Sequence, residues 1–178
     1  PISASIKSVV TKPIFVAGRI NQPQIAEEIL KMGQADMCGM TRALISDPMM
    51  PRKAAKGDLD DIRACVACNQ ACIEHMLNAC SISCIQRPET GRELQYANIS
   101  KTKLKKSILV AGGGPAGVKA ACIAADRGHR VTLCEKSNSL GGQINLAQSL
   151  PGRSEFGGII TNLNKELKKT TVSVRFNS

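Results

Sequence analysis

The stretch Ser107-Ile-Leu-Val-Ala-Gly-Gly-Gly-Pro-Ala-Gly117 reads as a buried strand that runs directly into a glycine-rich turn. A short apolar run bounded by glycine fits a strand covered on both faces. Pro115 suits the first turn of a helix, where a missing N–H is tolerated. The Ala-rich segment that follows extends to about Arg127 and stops at Gly128. Arg130-Val-Thr-Leu-Cys134 forms the next strand and finishes in Glu135. Strand, glycine turn, helix and strand, with an acid about twenty residues after the glycines, is the order that the dinucleotide-binding fingerprint requires. Gly112 makes the tight turn, Gly114 lets backbone reach a pyrophosphate, and Gly117 allows close helix packing, while the helix N-terminus supplies an anion site. Glu135 is positioned to accept hydrogen bonds from the ribose hydroxyls of an adenosine moiety. Leu140-Gly-Gly-Gln143, Pro151-Gly-Arg153, an amphipathic helix over 154–169 and a strand over 171–176 follow, and the fold class is α/β.

Working back, residues 95–106 end in Lys101, Lys103, Lys105 and Lys106, and they read as a basic linker at which composition changes. Before it stands Arg63-Ala-Cys65-Val-Ala-Cys68-Asn-Gln-Ala-Cys72, closed by Cys84 at a spacing of C-x2-C-x3-C-x11-C. Three thiols within eight residues can face one small centre, and Cys84 can return to it after a short helix. That helix is expected over 69–78, with Cys72, Ile73, Met76 and Leu77 turned inward, and Arg87-Pro-Glu-Thr-Gly91 is turn chemistry. Structural zinc sites usually pair two C-x2-C knuckles, whereas three clustered ligands and a distant fourth is the commoner pattern for a 4Fe-4S cluster. Spacing alone leaves cluster, zinc and reactive thiols open, and it leaves Cys80 open as a substitute for Cys84. Cys80 reads as a small packed hydrophobe, and Cys38, Cys122 and Cys134 read as core residues.

At the N-terminal end, Lys12-Pro-Ile-Phe-Val-Ala17 and Ala35-Asp-Met-Cys-Gly-Met40 read as parallel strands joined by a helix from near Pro23 to Gly33, with Asn21 as its cap and Ile25, Ile29 and Leu30 on one side. Both strands deliver an arginine at their C-terminal ends, where parallel α/β folds place ligands. Gly18 permits close backbone approach, and Arg19 and Arg42, beside Thr41, offer fork geometry for a phosphate, although two surface arginines satisfy the same spacing. Asp47-Pro48 reads as the opening of a helix that ends by Gly57.

Composition excludes several classes. Among 178 residues, 43% are hydrophobic and only 2% aromatic, with no Trp, which argues against stacking platforms for nucleic acid. The net charge of +10 includes the basic linker, whose solvated state is the ordinary expectation, with attraction of anionic cofactors or acidic partners as the other. Lys119 breaks the longest apolar run, so no membrane span is expected. Eight cysteines without a secretory pattern point to metal binding or buried thiols in a reducing, cytoplasmic setting. A chain that opens on Pro1 and closes on Ser178 after an alternating apolar run reads as a segment truncated at both ends.

Taken in order, Gly18-Arg19-Ile-Asn21, then Met40-Thr-Arg42-Ala-Leu-Ile-Ser-Asp-Pro48, then the four cysteines, then Gly112-Gly-Gly-Pro-Ala-Gly117 resembles the 2,4-dienoyl-CoA reductase and trimethylamine dehydrogenase family of iron-sulfur flavoenzymes. The resemblance implies that residues 1–60 are the last two βα units of an FMN-binding TIM barrel, with Gly18, Arg19, Thr41 and Arg42 at the phosphate. It implies a 4Fe-4S segment over 61–94 held by Cys65, Cys68, Cys72 and Cys84, a basic linker over 95–106, and the N-terminal part of a Rossmann-like domain for FAD or ADP over 107–178. Gly112, Gly114, Pro115, Ala116, Gly117, Glu135, Gln143 and Arg153 then stand at the adenosine nucleotide. NAD(P)H, FAD, cluster and FMN would form an electron relay that reduces an activated C=C bond of an enoyl thioester or enoate. In the amine branch of the family electrons run outward to an external carrier. A reading of another class is a non-catalytic zinc-binding or redox-sensing module on a nucleotide-binding domain. The sequence departs from the family pattern at Ala43, where Pro is frequent, and at Arg87-Pro88, where Asn-Pro is frequent. His75 and His129 read as surface or core positions, so no residue is nominated as catalytic acid or base, and oligomeric state is not addressed by the sequence.

Overall fold

A computed structural model describes residues 2–96 and 98–178. It divides into two compact units, Pro1–Gly91 and Arg92–Ser178. In the first unit, helix α1 (Ile2–Lys7) precedes strand β1 (Phe15–Ala17), helix α2 (Pro23–Lys31) and strand β2 (Met37–Gly39). The strands pair in parallel, with Val16 opposite Cys38. They are shorter than the apolar runs suggest, because Pro13 has no N–H to donate and Ile14 spends its own on Asp36 Oδ2 at 2.7 Å. Lys7 adds an ion pair to Asp36 at 2.6 Å, which fixes the approach to β2. Helix α2 takes Gln22 as its N-cap rather than Asn21, and Ile25 and Leu30 remain exposed.

Helices α3 (Thr41–Ser46) and α4 (Met50–Ala55) and a 3-10 turn (Leu59–Asp61) complete the helical layer of this unit. Ala43, Met50 and Ile62 form its small core, with Met40 and Ala54 packed against it. Thr41 and Arg42 therefore belong to the start of a helix instead of a strand end. The helix expected from Asp47-Pro48 begins at Met50, and Asp47 ends α3 while accepting the Met49 N–H at 3.0 Å. Helix α5 (Ile73–Leu77) is half the expected length, and Met76 and Leu77 are 54% and 76% exposed rather than inward. The short helix reflects a tight local winding before it: Ala67 and Asn69 both hold positive φ, which ends any helical run between the first three cysteines.

The second unit follows its sequence closely. After α6 (Glu93–Tyr96) come β3 (Ser107–Ala111), α7 (Pro115–Asp126), β4 (Arg130–Glu135), α8 (Gln143–Ala147), a 3-10 turn (Ser154–Phe156), α9 (Gly157–Lys168) and β5 (Ser173–Phe176). The sheet is parallel in the order β3-β4-β5, so each connection is a crossover through a helix. Val118, Ala121 and Cys122 from α7, Val131 and Leu133 from β4, and Ile159, Leu163 and Leu167 from α9 make the core. The α9 residues recur every four positions, which places them on one face of the helix. Burying each large aliphatic side chain contributes roughly 1.5–3 kcal/mol. Lys119 and Glu166 join α7 to α9 at 2.7 Å. Cys122 is buried as expected, and burial pushes its thiol up to about 11, whereas Cys38 and Cys134 are only half-buried.

Candidate functional site

In the first unit, the C-terminal ends of β1 and β2 open onto a pocket lined by Gly18, Arg19, Ile20, Asn21, Thr41 and Arg42, with Cys65 in its wall. Gly18 at φ 136 and Arg19 at φ 55 turn the chain away from β1 in a conformation that a β-branched residue would resist. Two cationic side chains at the mouth of two parallel strands give an electropositive recess suited to a phosphate. Asn21, expected as a helix cap, is buried and donates from Nδ2 to the Cys65 carbonyl at 2.8 Å. It thus fastens the cysteine segment to the pocket.

A second cavity in the same unit is lined by Cys65, Cys68, Cys72 and Cys84 together with Arg42, Ile45, Val66, Asn69, Ile85 and Gln86. Burial pushes the Cys68 thiol up, a backbone hydrogen bond involving Gln70 opposes it, and the fields of Cys84, Cys72 and Cys65 add to the rise. Cys68 therefore lies within electrostatic reach of the other three thiols. Among the described residues no three His, Cys, Asp or Glu side chains gather into a site for a metal ion, so the thiols line the wall without meeting at one point. The donor set is nonetheless wholly sulfur, since no carboxylate or imidazole lines this cavity among the described residues. Soft thiolate donors in an apolar wall suit an iron-sulfur cluster or zinc, not a hard cation. Cys80 lies outside the cavity and is exposed, correcting the expectation that it packs as a hydrophobe. The Ala67 N–H lies 3.4 Å from Cys65 Sγ, a donor of the kind that tunes sulfur ligands.

Side-chain ties, invisible in the spacing, hold this segment in place. Arg42 Nη1 donates to Asn69 Oδ1 at 2.7 Å, Gln86 Nε2 to the Ala64 carbonyl at 2.9 Å, and Ser46 Oγ to the Arg63 carbonyl at 2.8 Å. Asp47 Oδ2 accepts the Arg63 N–H at 3.0 Å and Lys53 Nζ at 2.7 Å. Thr90, just before the Gly91 turn, donates to the Ile45 carbonyl at 3.1 Å. Only the position of Asn69 beside Cys68 hints at any of this.

The second unit carries the glycine loop. Gly112 turns at φ 98, and a Cβ on Gly117 would stand 2.0 Å from the Gly112 carbonyl oxygen, so α7 packs on the loop at a distance that only glycine permits. A Cβ on Gly114 would point into open space, and Pro115 and Ala116 begin α7 beside it. Glu135 is 6% exposed and already engaged: Oε2 accepts the Gly113 N–H at 2.6 Å, and Oε1 accepts the Ser137 N–H and hydroxyl at 2.8 Å each. The Ser137 backbone, then the Gly113 backbone and the Ser137 hydroxyl, hold its carboxyl below the usual value. The acid expected at a ribose thus also pins the glycine loop. Gly141 donates to the Gly113 carbonyl at 2.8 Å, and Gly142 lies against Gly114, so the second glycine pair braces the first. Gln143 and Arg153 are exposed, with the Arg153 guanidinium 5.5 Å from the centre of the Phe156 ring. His75 Nδ1 sits 2.9 Å from the Ser81 carbonyl, and His129 Nδ1 accepts the Lys106 N–H at 3.2 Å, which are structural contacts.

A recess with two arginines at parallel strand ends, a cavity lined by four thiols and a glycine loop on a parallel sheet are the features to set beside known proteins. The NADH:flavin oxidoreductase / NADH oxidase family model matches residues 3–61, and the FAD dependent oxidoreductase model matches residues 107–171. The chain is 39% identical to a metal reductase of Desulforamulus reducens over 99% of its own length and 26% of the relative's. It is also 39% identical to an N,N-dimethylglycine/sarcosine dehydrogenase of Chromohalobacter salexigens, over 98% of this chain and 25% of that one. The solved 2-naphthoyl-CoA reductase in complex with 2-naphthoyl-CoA superposes with a TM-score of 0.89 at 35% identity, covering 97% of this chain and 26% of that chain. Residues 3–61 belong to the NADH:flavin oxidoreductase / NADH oxidase family, and the chain spans about a quarter of the length of the relatives it matches. Among the described residues no helix is long and apolar enough to cross a membrane.

Proposed function

We propose that this chain is the cofactor-binding middle of a flavin- and iron-sulfur-dependent oxidoreductase that uses NAD(P)H to reduce an activated C=C bond in an enoyl thioester or enoate. The observation that carries the reading is the shared wall: Arg42 and Cys65 border both the anion pocket and the four-thiol cavity. In this reading residues 1–60 are the closing βα units of a TIM barrel, and Gly18, Arg19, Thr41 and Arg42 hold the phosphate of FMN. Cys65, Cys68, Cys72 and Cys84 hold a 4Fe-4S cluster within 61–94, and the basic linker over 95–106 leads into a Rossmann-like domain. There Gly112, Gly114, Pro115, Ala116, Gly117, Glu135, Gln143 and Arg153 serve the adenosine part of FAD or a structural ADP. When bound, the flavins supply hydride chemistry and the cluster supplies single-electron transfer.

The chain's own residues bind, orient and exclude water. Ile45 and the buried Val66 give the thiol cavity an apolar wall, which lowers solvent access to whatever the sulfurs hold. Arg19 and Arg42 neutralise a phosphate, and Glu135 keeps the Gly113 amide fixed so that the loop meets a pyrophosphate in one conformation. The similarity to 2-naphthoyl-CoA reductase supports the reductive direction. The similarity to an N,N-dimethylglycine/sarcosine dehydrogenase, at 39% identity, supports a second reading, in which an amine is oxidised and electrons pass outward to a carrier. Eight free thiols are consistent with a reducing, cytoplasmic setting.

Metal and acid-labile sulfide analysis of anaerobically prepared protein, with Cys65→Ser in parallel, tests the reading. About four irons and four sulfides per chain, lost in the variant, are the expected result. Stoichiometric zinc without sulfide would replace it with the reading of a non-catalytic nucleotide-binding module. Reduction of an enoate by NAD(P)H, against oxidation of a methylated amine with an artificial acceptor, then decides the direction in the full-length protein.

A further inference from the structure

The guanidinium of Arg42 occupies a place that a phosphate ligand alone does not require. Arg42 is half-buried in the first turn of α3, lines the anion pocket, and also lines the thiol cavity. Its Nη1 is taken by Asn69 Oδ1 at 2.7 Å, in the residue directly after Cys68. Asn69 sits at φ 59, a conformation that Asn tolerates better than most residues with a side chain. Its own carbonyl accepts the Glu74 N–H at 3.0 Å, so its backbone is fixed to the start of α5 while its side chain is aimed at Arg42. The tie is reinforced on the other side, where Asn21 of the pocket holds the Cys65 carbonyl at 2.8 Å.

We propose that Asn69 is a positioning residue that holds the Arg42 guanidinium in the wall between pocket and cavity, coupling the grip on a phosphate to the redox state of the centre the cysteines hold. The inference rests on the FMN and cluster reading above. A guanidinium has five N–H donors in one plane, so spending one on Asn69 leaves others for a phosphate. A fixed cation beside thiolate-held iron favours the reduced form, which carries one more negative charge, and so raises the midpoint potential. A phosphate on the same guanidinium offsets that charge. Binding linkage is reciprocal: if reduction changes how tightly Arg42 holds the phosphate, the phosphate changes the potential by the same free energy. Without Asn69 the long Arg42 side chain is released from the shared wall, and both quantities fall together.

The test uses full-length holoprotein and Asn69→Gly, which removes the acceptor but keeps the positive φ free of strain. Iron and sulfide content is measured first, then the FMN dissociation constant, then the cluster midpoint by redox titration followed by EPR. The expected result is unchanged iron, FMN binding weaker by roughly tenfold, and a midpoint lower by about 59 mV, the one-electron equivalent of a tenfold change. In an Arg42→Lys background, which lacks the fork that Asn69 orients, Asn69→Gly adds little to either quantity. Full iron with an unmoved midpoint overturns the coupling, whether or not FMN affinity changes, and leaves the cluster reading intact. Equal effects of Asn69→Gly in both backgrounds overturn the role of Arg42. Wild-type protein without iron and sulfide overturns the reading of the site and the inference with it. If Asn69→Gly loses iron, Arg42→Gln, which removes the cation, decides: an unmoved midpoint overturns the proposal, and a lowered one supports it.

Discussion

The two units build their sites in opposite ways. In the second unit the loop is a product of backbone: Gly112 turns at φ 98, Gly117 admits the Gly112 carbonyl where a Cβ would stand at 2.0 Å, and Gly141 donates to Gly113 at 2.8 Å. Nearly all of it lies between residues 107 and 143, under a core in which Leu133 and Ala121 are fully buried. In the first unit the site is collected from 18–21, 41–42, 65–72 and 84–86, and it is joined by side chains such as Asn21, Arg42, Ser46 and Gln86. Along residues 63–90 Val66 is the buried hydrophobic residue, while Met76, Leu77, Ile82 and Ile85 are exposed. The glycine loop is thus preformed by packing, and the four-thiol cavity is held by polar ties.

The largest effect that would break this contrast is metal removal. With the proposed metal centre in place, chelation under reducing conditions is expected to abolish hydrogen-exchange protection over 64–90 and leave 107–135 protected, because metal binding to thiolates is folding free energy, on the order of 10 kcal/mol for zinc-finger peptides. Full protection of 64–90 in metal-free protein would make the thiol ring as preformed as the glycine loop. Next in size is Leu133→Ala, which removes a side chain of 0% exposure from β4 and should cost about 2–5 kcal/mol in urea unfolding while iron content stays unchanged. Gly117→Ala follows, at roughly 1–3 kcal/mol for overpacking, with FAD or ADP affinity falling because α7 must move off the loop. In the first unit Thr90→Val removes the hydroxyl's bond to the Ile45 carbonyl and the longer one it accepts from Arg87 Nη1 at 3.5 Å, and should cost about 0.5–1.5 kcal/mol, read as faster exchange near 84–90.

The same contrast explains what was legible in the sequence. For the second unit, the three strands and α7 fall within a residue or two of expectation, since glycine, proline and apolar periodicity act locally, whereas the helix expected over 154–169 opens as a 3-10 turn and becomes α9 at Gly157, and α6 and α8 lie outside the expected elements. For the first unit, the spacing brings Cys65, Cys68, Cys72 and Cys84 to one cavity, but the partners of that cavity depend on tertiary packing. Asn21 has the residue type of a helix cap and is used instead on Cys65, whose carbonyl tertiary packing brings to it. Met76 and Leu77 follow a helical period yet face outward, because Ile45 and Val66, from other parts of the chain, already form the apolar wall. A pattern of residue types gives a helix its faces without saying which face finds a partner.

The smallest effect concerns two carboxylates and sharpens the comparison through pH. Asp36 in the first unit is held below the usual value first by the Lys7 hydrogen bond and then by the Ile14 N–H, and Glu135 in the second by Ser137 and Gly113. A carboxylate with a lowered folded value contributes stability that is present above its unfolded value and lost as pH falls through the folded one. The second unit should therefore lose some stability as pH drops below about 4.5, the ordinary value for Glu135, and the first as it drops below about 3.8, the ordinary value for Asp36. The consequence differs with the partner. Asp36 orders the approach to β2, whereas Glu135 orders Gly113 inside the glycine loop. Acid should thus weaken FAD or ADP binding through loop disorder, and Glu135→Gln, which loses one anionic acceptor, should weaken it already at neutral pH and flatten its acid dependence. Asp36→Asn should alter acid stability while leaving phosphate affinity at Arg19 and Arg42 unchanged at neutral pH. If nucleotide affinity of Glu135→Gln stays equal to wild type across this range, the glycine loop needs no side-chain tie, and the backbone alone sets it.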